Sequence, residues 1–402
     1  MRRILLTQYK ERLLYSLWEN DKPAELALYP PEGEGQPRLG DIYLAKVQDV
    51  VRGIRAAFVR LTPEFTAYLP LTAETEKLRA GDELAVQVTK EAQKTKDPVV
   101  SAQLSLTGRL VVLTEVRAGQ GSGRISVSAK IRDAAWREQT IGALEGVLAS
   151  AAKGSEADTG SVSVIVRTGA YAAPFTELAR ETAELWERLR RLRQAAGTRT
   201  CYSCLYRSEP MWLTGLYHLT AAGPMELVTD LPDIRALCQA FIENRHMETQ
   251  LTLRFYDDAS CPLSRLYGLD SVVESALHKK VWLKSGGYLV IEPTEAMVVI
   301  DVNTGKFTGR GDKEENILRL NREAAQEIAR QLRLRNLSGM ILIDFIDMKK
   351  AAHEEEILSC LREAVREDPA GVTVVDMTKL GIVECTRKKT SRPLHEQVRE
   401  GK

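Results

Sequence analysis

An apolar run of the roughly 18 to 20 residues needed to cross a bilayer is missing from this 402-residue chain. The opening stretch, MRRILLTQYKERLLYSLWEND, meets charge before an export-type apolar core develops. A cytoplasmic location without membrane attachment is therefore the default expectation. Cysteine is scarce: six in the whole chain, with Cys238, Cys261, Cys360 and Cys385 each standing alone, which excludes a disulfide scaffold and points to reduced thiols. Charge of one sign is not in excess either. Lys plus Arg number 56 against 55 Asp plus Glu, so bulk charge gives no warrant for a nonspecific polyanion binder, and any nucleic-acid site must be local. Internal repeats and low-complexity tracts are absent.

What is present is a globular composition, 44% hydrophobic and 28% charged, in a chain long enough for two or three compact units. Near the start Leu13, Tyr15 and Leu17 alternate with Arg12, Ser16 and Glu19, as in a half-buried strand, until Pro30-Pro31-Glu32-Gly33 breaks the pattern. From Gly40 to about Leu106 come DIYLAKVQDVV, AAFVRL, AYLPL, ELAVQVTKE and VVSAQLSL, separated by turn residues. Five short strands at this spacing predict a small closed barrel, though strand count alone leaves an SH3-like or sandwich module open. Next come glycine-rich turns at 119–123, a strand VSVIVRTG, and a charged, largely solvated helix from Thr176 to Ala196. Between Thr214 and Tyr267, PDIRALCQAFIENR and TQLTLRFYDD suggest a second α/β unit.

Beyond it, GGYLVIEP, AMVVIDVN, the helix through NREAAQEIARQLRLR, GMILIDFIDM, the helix HEEEILSCLREAVRED and GVTVVDMT alternate as a sheet covered by helices. Asn336 and Gly339 supply the helix stop after Leu334, and the strand that follows is expected to be short, apolar and buried. Asp301 follows the apolar run Met297–Ile300 and Asp344 follows Met340–Ile343, so each acid is expected where a buried strand emerges from its sheet. Two carboxylates with waters and a substrate phosphate would satisfy magnesium. Asn303 is placed to fix Asp301 through its amide, and Gly305 permits a tight turn beside it. An aspartate after a strand is equally a common turn or capping residue, and spacing alone leaves both readings open. Asp347, three residues beyond Asp344, faces the opposite side if DFID continues as a strand, which favours Asp344.

At these residues the chain resembles the ribonuclease E/G family: IDVNTG from Ile300 to Gly305, EIARQLRLRNLSGMILIDFIDM from Glu327 to Met348, and LGIVECTRKK from Leu380 to Lys389. The resemblance implies a mixed α/β, multidomain fold in which an RNase H-like unit (1–38 and 212–281) is interrupted by an S1, OB-type barrel (39–107) and a 5′-sensor region (108–211). A DNase I-like catalytic domain (282–402) then follows. It implies a catalytic magnesium held by Asp301 and Asp344, with Asn303 orienting Asp301, and RNA contacts at Phe58, Tyr68 and Lys96. Without it, Phe58 within AAFV reads as a core residue. It further implies a 5′-monophosphate sensor at Arg167 and Thr168 of VRTG, with Lys130 loosely matching another sensor arginine. A guanidinium fork and a hydroxyl beside a glycine turn suit a terminal phosphate.

The implied activity is magnesium-dependent endonucleolytic cleavage of single-stranded A/U-rich RNA, stimulated by a 5′ monophosphate and leaving a 5′ phosphate and 3′ hydroxyl. The implied settings are rRNA and tRNA processing and mRNA decay. Two rival readings remain: a noncatalytic S1-type RNA-binding protein, and a phosphoesterase of small molecules. The family's CPxCxG zinc-link segment and small dimerisation domain have no counterpart here, where the chain ends SRPLHEQVREGK. A zinc-linked dimer is accordingly not expected, another oligomer stays open, and the chain reads as either a natural short form or a truncated one. Cys201 and Cys204 form one CxxC, half of the ligand set a structural zinc requires. The basic cluster Arg387, Lys388, Lys389 and Arg392 reads either as an RNA track or as a solvated tail.

Overall fold

The computed structural model describes residues 2–30, 37–73, 75–92, 97–116, 123–152, 162–220, 223–306 and 312–399. The chain divides into two compact units: residues 1–32 together with 222–402, and residues 33–221 between them. Among the described residues no helix is long and apolar enough to cross a membrane.

The first unit begins with an antiparallel meander, β1 (Arg2–Tyr9), β2 (Arg12–Glu19) and β3 (Lys22–Tyr29). The turn between β2 and β3 is two residues, Asn20 and Asp21, both at positive φ (50° and 58°), the backbone twist that a tight hairpin demands. The opening segment is thus three strands, and β2, between β1 and β3, is buried on both faces from Leu14 to Leu17. Ser16, fully buried there, is satisfied by the Trp18 indole N–H at 2.7 Å.

In the second unit, β4 (Ile42–Val51), β5 (Ala56–Arg60), β6 (Thr66–Pro70), β7 (Glu83–Lys90) and β8 (Val99–Ser101) form the expected barrel. It closes because β4 pairs with both β5 and β7, and β8 bridges β6 and β7. Its interior takes Val47, Ala57, Val59, Ala67, Leu69, Val86 and Val100. The run VVSAQLSL does not continue as one strand. After β8 the chain turns and β9 (Ser105–Thr107) enters a second sheet with β10 (Val111–Glu115), β11 (Ile125–Val127) and β12 (Val162–Val166), in the order β11-β12-β10-β9. Gln87 of β7 fixes this crossing, exchanging two 2.8 Å hydrogen bonds with the Ser105 backbone.

Two helices, α1 (Ala134–Ala152) and α2 (Phe175–Thr198), pack together, and α2 also lies on β10. Despite its charge α2 is not largely solvated: Leu178, Leu185, Leu189 and Leu192 recur at helical spacing and are buried with Thr182 and Trp186. β13 (Cys204–Tyr206) then pairs with β4.

Returning to the first unit, β14 (Met225–Thr229), α3 (Pro232–Arg245) and β15 (Leu251–Phe255) do not form a unit of their own. Both strands run parallel to β1 and complete a five-stranded sheet, β15-β14-β1-β2-β3. After α4 (Leu269–Leu277) comes a six-stranded sheet: β16 (Lys280–Trp282), β17 (Tyr288–Pro293), β18 (Met297–Asn303), β19 (Gly339–Asp344), β20 (Val372–Met377) and β21 (Ile382–Arg387), ordered β16-β17-β18-β19-β21-β20. Of these pairings only β18–β19 is parallel, and the long helix α5 (Lys313–Leu334) makes the crossover.

Sequence dictates both ends of α5. Asp312 caps the start, accepting from the Glu314 backbone N–H, with Glu314 and Glu315 in the first turn. At the other end Asn336 is left-handed (φ 49°), its N–H bonds to the Arg333 carbonyl, and Leu337 N–H reaches back to Leu332 at 3.0 Å, which satisfies carbonyls that a bare helix end leaves open. α6 (Ala351–Ala364) packs beside α5. The core under both helices holds Leu289, Ile291, Val298, Ile300, Val302, Ile341, Ile343 and Val383. These alternate with outward residues, so helices cover one face of the sheet and leave the other open. β19 is accordingly not buried throughout: Ile341 and Ile343 are in the core while Met340 and Asp344 are exposed.

Candidate functional site

Strand parity places the two acids. In β18, Val298, Ile300 and Val302 point into the core, so Val299, Asp301 and Asn303 point to the open face. In β19, Ile341 and Ile343 point inward and Asp344 outward. Asp301 and Asp344 are register partners on the parallel pair β18–β19, and adjacent strands lie about 4.8 Å apart. The acids therefore stand side by side on the open face, and Asp301 lies within its strand, two residues before the end. Asn303 donates from its side-chain amide to Asp301 Oδ2 at 2.7 Å, the contact expected from the sequence.

Asp344 has its pKa raised, first by partial burial and then by the negative charges of Asp301 and Asp347. A like charge nearby disfavours ionisation, so these carboxylates repel one another across the open face. Among the described residues no cluster of three or more His, Cys, Asp and Glu side chains has metal-binding spacing. The paired carboxylates of Asp301 and Asp344 are hard oxygen donors, which can take part in holding a magnesium ion that keeps several waters, whereas a structural zinc wants four nitrogen or sulfur ligands. In the CxxC, Cys201 and Cys204 are free thiols whose pKa values are raised, with burial the leading cause in each.

Side chains that sequence reading missed hold the acids in place. Asn321, fully buried in α5, donates to the Ile346 carbonyl at 2.8 Å and accepts from the Ile346 N–H at 3.2 Å. Glu314 accepts from the Lys349 N–H at 2.7 Å. Together they pin the segment that follows Asp344. The available signal was an asparagine inside the apolar stripe of Leu318, Ala325, Ile328 and Leu332. Gly305 and Gly287 do the same for Asn303. Gly305 sits at φ +54° with a would-be Cβ only 2.6 Å from the Gly286 carbonyl, and a Cβ on Gly287 would lie 2.9 Å from the Asn303 carbonyl.

In the barrel, Phe58 and Tyr68 are register partners on β5 and β6, with ring centroids 6.1 Å apart in an edge-to-face pair. Both are half-buried on the outer face, since Ala57, Val59, Ala67 and Leu69 fill the interior; Phe58 is not a core residue. Lys96 lies outside the described residues. In the second sheet, Arg167 donates to the Gly108 carbonyl at 2.6 Å, and exposed Thr168 has its hydroxyl 3.2 Å from that of Ser128. Exposed Lys130 follows two residues after Ser128, whose hydroxyl accepts from the Lys130 backbone N–H at 3.4 Å. Arg387 leaves the basic cluster: it is buried, paired with Asp368 at 2.9 Å. Lys388 and Lys389 are exposed beside it.

The model of the Ribonuclease E/G family matches residues 105–390. Ribonuclease E of Nostoc sp. (strain PCC 7120) is 31% identical over 403 residues, covering 96% of this chain and 56% of that protein. Ribonuclease G of Escherichia coli (strain K12) is 31% identical over 378 residues, 88% of this chain and 73% of that protein, and Ribonuclease G of Haemophilus influenzae is 32% identical over 390 residues. The chain thus spans little more than half of the cyanobacterial relative and about three quarters of the enterobacterial one. With a match across most of its length, the chain belongs to the ribonuclease E/G family.

Proposed function

We propose that this protein is a magnesium-dependent endoribonuclease that cuts single-stranded A/U-rich RNA, leaving a 5′ phosphate and a 3′ hydroxyl, in rRNA and tRNA processing and mRNA decay. The carrying observation is the in-register pair Asp301 and Asp344 on an open sheet face, with the Asn303 amide on Asp301. Asp301 and Asp344 hold the ion. Magnesium, when bound, supplies Lewis acidity toward a phosphodiester oxygen and lowers the pKa of water. Asn303 fixes the Asp301 carboxylate so that one oxygen faces the open side. Removing such a supporting hydrogen bond typically costs 10- to 100-fold in metal affinity or activity. Asn303→Ala is therefore expected to raise the magnesium concentration for half-maximal cleavage by about that factor, read from a titration, while saturating magnesium restores most of the rate.

The barrel, read as an S1 module, grips unpaired nucleotides through Phe58 and Tyr68, whose outward rings suit base stacking, with Lys96 toward phosphate. We read the sheet built from β1–β3, β14 and β15 as RNase H-like and the six-stranded sheet as DNase I-like; the strand orders support both readings.

Arg167, Thr168 and Lys130 form the proposed 5′-monophosphate pocket. Because Arg167 also holds the Gly108 carbonyl, Thr168→Val is the cleaner test. A hydrogen bond to a charged group is worth about 1.5–3 kcal/mol, so the preference for 5′-monophosphorylated over 5′-hydroxyl RNA should fall about tenfold or more. Equal losses on both substrates would refute the pocket. For the function itself the test is a 5′-monophosphorylated A/U-rich oligonucleotide followed with and without magnesium. Internal cuts that need the ion support it, and tight binding without cuts would favour a noncatalytic RNA-binding protein.

A further inference from the structure

The open face that carries the acids also carries an aromatic pair without a structural task. Of the chain's five tryptophans only Trp282 is exposed, at 57%. It sits on β16, a three-residue edge strand whose inner neighbour Leu283 serves the core. Trp282 registers with Tyr288, and Tyr288 with Asn303, so both rings stand in the row that ends at the amide on Asp301. One strand spacing, about 5 Å, separates Tyr288 from Asn303 and a second separates Trp282 from Tyr288, the scale of a single nucleotide. In the adjacent row Lys280, Val290, Asp301 and Asp344 follow one another across four strands.

The rings are held. Trp282 and Tyr288 meet edge to face, with centroids 5.3 Å apart at 61°. The Lys280 ammonium lies 3.6 Å from the Tyr288 centroid and 4.1 Å from that of Trp282. Gly305 leaves room for the Tyr288 ring, since a Cβ there would come within 3.0 Å of it. The turn that positions Asn303 thus also positions Tyr288.

We propose that Trp282 and Tyr288, with Lys280, form a stacking platform for an unpaired base of the RNA strand whose phosphodiester lies at Asp301 and Asp344. This rests on the nuclease reading of that acid pair. An exposed indole offers a π-face to any base, which is how sequence-tolerant single-strand binding works, and the ammonium between the rings suits the phosphate beside that base. The platform fixes where along the strand the cut falls, a positioning role distinct from the barrel's grip.

The test uses A/U-rich oligonucleotides with 5-iodouridine moved one position at a time, irradiated on the full chain without magnesium, with adducts mapped by mass spectrometry. Adducts on Trp282 or Tyr288 are expected only from one or two positions flanking the cut. Base–aromatic stacking is worth about 1–3 kcal/mol per base, so Trp282→Ala should weaken binding by about 5- to 150-fold. The loss should vanish on an oligonucleotide abasic at that position, and Trp282→Phe should recover most of it. An equal loss on intact and abasic strands, or a cut oligonucleotide that never cross-links to either ring, would overturn the platform. Cross-links without magnesium-dependent cleavage would overturn the nuclease reading and retain the base contact.

Discussion

Asp301→Asn and Asp344→Asn are each expected to lower the rate of RNA cleavage by a thousandfold or more, the equivalent of roughly 4 kcal/mol of lost metal-assisted stabilisation, while leaving the fold intact. The two halves of this expectation have one structural cause. Both side chains stand on the open face of the sheet, and the core under it is made by Ile300, Val302, Ile341 and Ile343. Asparagine keeps the shape of each side chain and disturbs none of that packing. It also removes one member of a like-charged group, since Asp344 is held above the usual carboxylate range by burial and by the charges of Asp301 and Asp347. Thermal midpoints without magnesium should accordingly be unchanged or slightly raised. A ligand that binds only the folded state stabilises it by mass action. Magnesium should therefore raise the midpoint of the parent chain and do so weakly or not at all in the two variants. Cleavage that survives either substitution, or equal magnesium stabilisation in all three proteins, would remove the acid pair from the centre of the mechanism.

That Asp301 and Asp344 each follow a short apolar run was readable in the sequence, with a fixed parity once each run is a strand, but it left a ligand and a turn or capping residue equally open, and it was the family resemblance that singled the two out. The Asn303 contact followed from the same parity, two residues on and on the same face. What the sequence did not show was which face the helices leave open. Apolar periodicity reports that a strand is buried, and only the side of the sheet on which α5 and α6 both pack makes Asp301 a surface residue within its strand. The barrel was readable from strand spacing, but Phe58 within AAFV was not, because alternation in a strand this short is masked when its interior positions are alanine and valine. α2 misled in the opposite direction: its charges dominate the composition, yet four leucines at helical spacing were enough to bury one face. Asn321 and Glu314, which clamp the segment after Asp344, act on backbone groups more than 20 residues away, and no local pattern encodes such a contact.

Arg387 is the plainest case of a residue whose role depends on three dimensions, and Asp368→Ala carries the largest expected effect on stability. In sequence Arg387 opens a basic cluster. In the fold its side chain is 4% exposed and that of Asp368 2%, and its guanidinium donates to Asp368 Oδ2 at 2.9 Å, to the Asn336 side-chain carbonyl at 2.8 Å and to the Leu337 backbone carbonyl at 3.1 Å. Asp368 in turn accepts from the Ala370 N–H at 2.9 Å. Truncating one partner leaves a charge buried without its counterion, which typically costs about 3–5 kcal/mol. Asp368→Ala should lose that much, read as a shift of the urea midpoint for the unit that contains residues 222–402. Asp368→Asn has one acceptor oxygen in place of two, so it can serve the guanidinium or the turn but not both, and should lose somewhat less than Asp368→Ala. Adding Arg387→Met to Asp368→Ala removes the stranded charge and should recover part of the loss, though not all, because the Leu337 carbonyl then lacks its donor. Since Arg387 registers with Gly339 at the start of β19, the strand that ends in Asp344, the same substitution should make cleavage heat-labile while sparing the rate well below the midpoint. An Asp368→Ala chain with the parent's urea midpoint would show that water or a shifted backbone satisfies Arg387 as well as the carboxylate does.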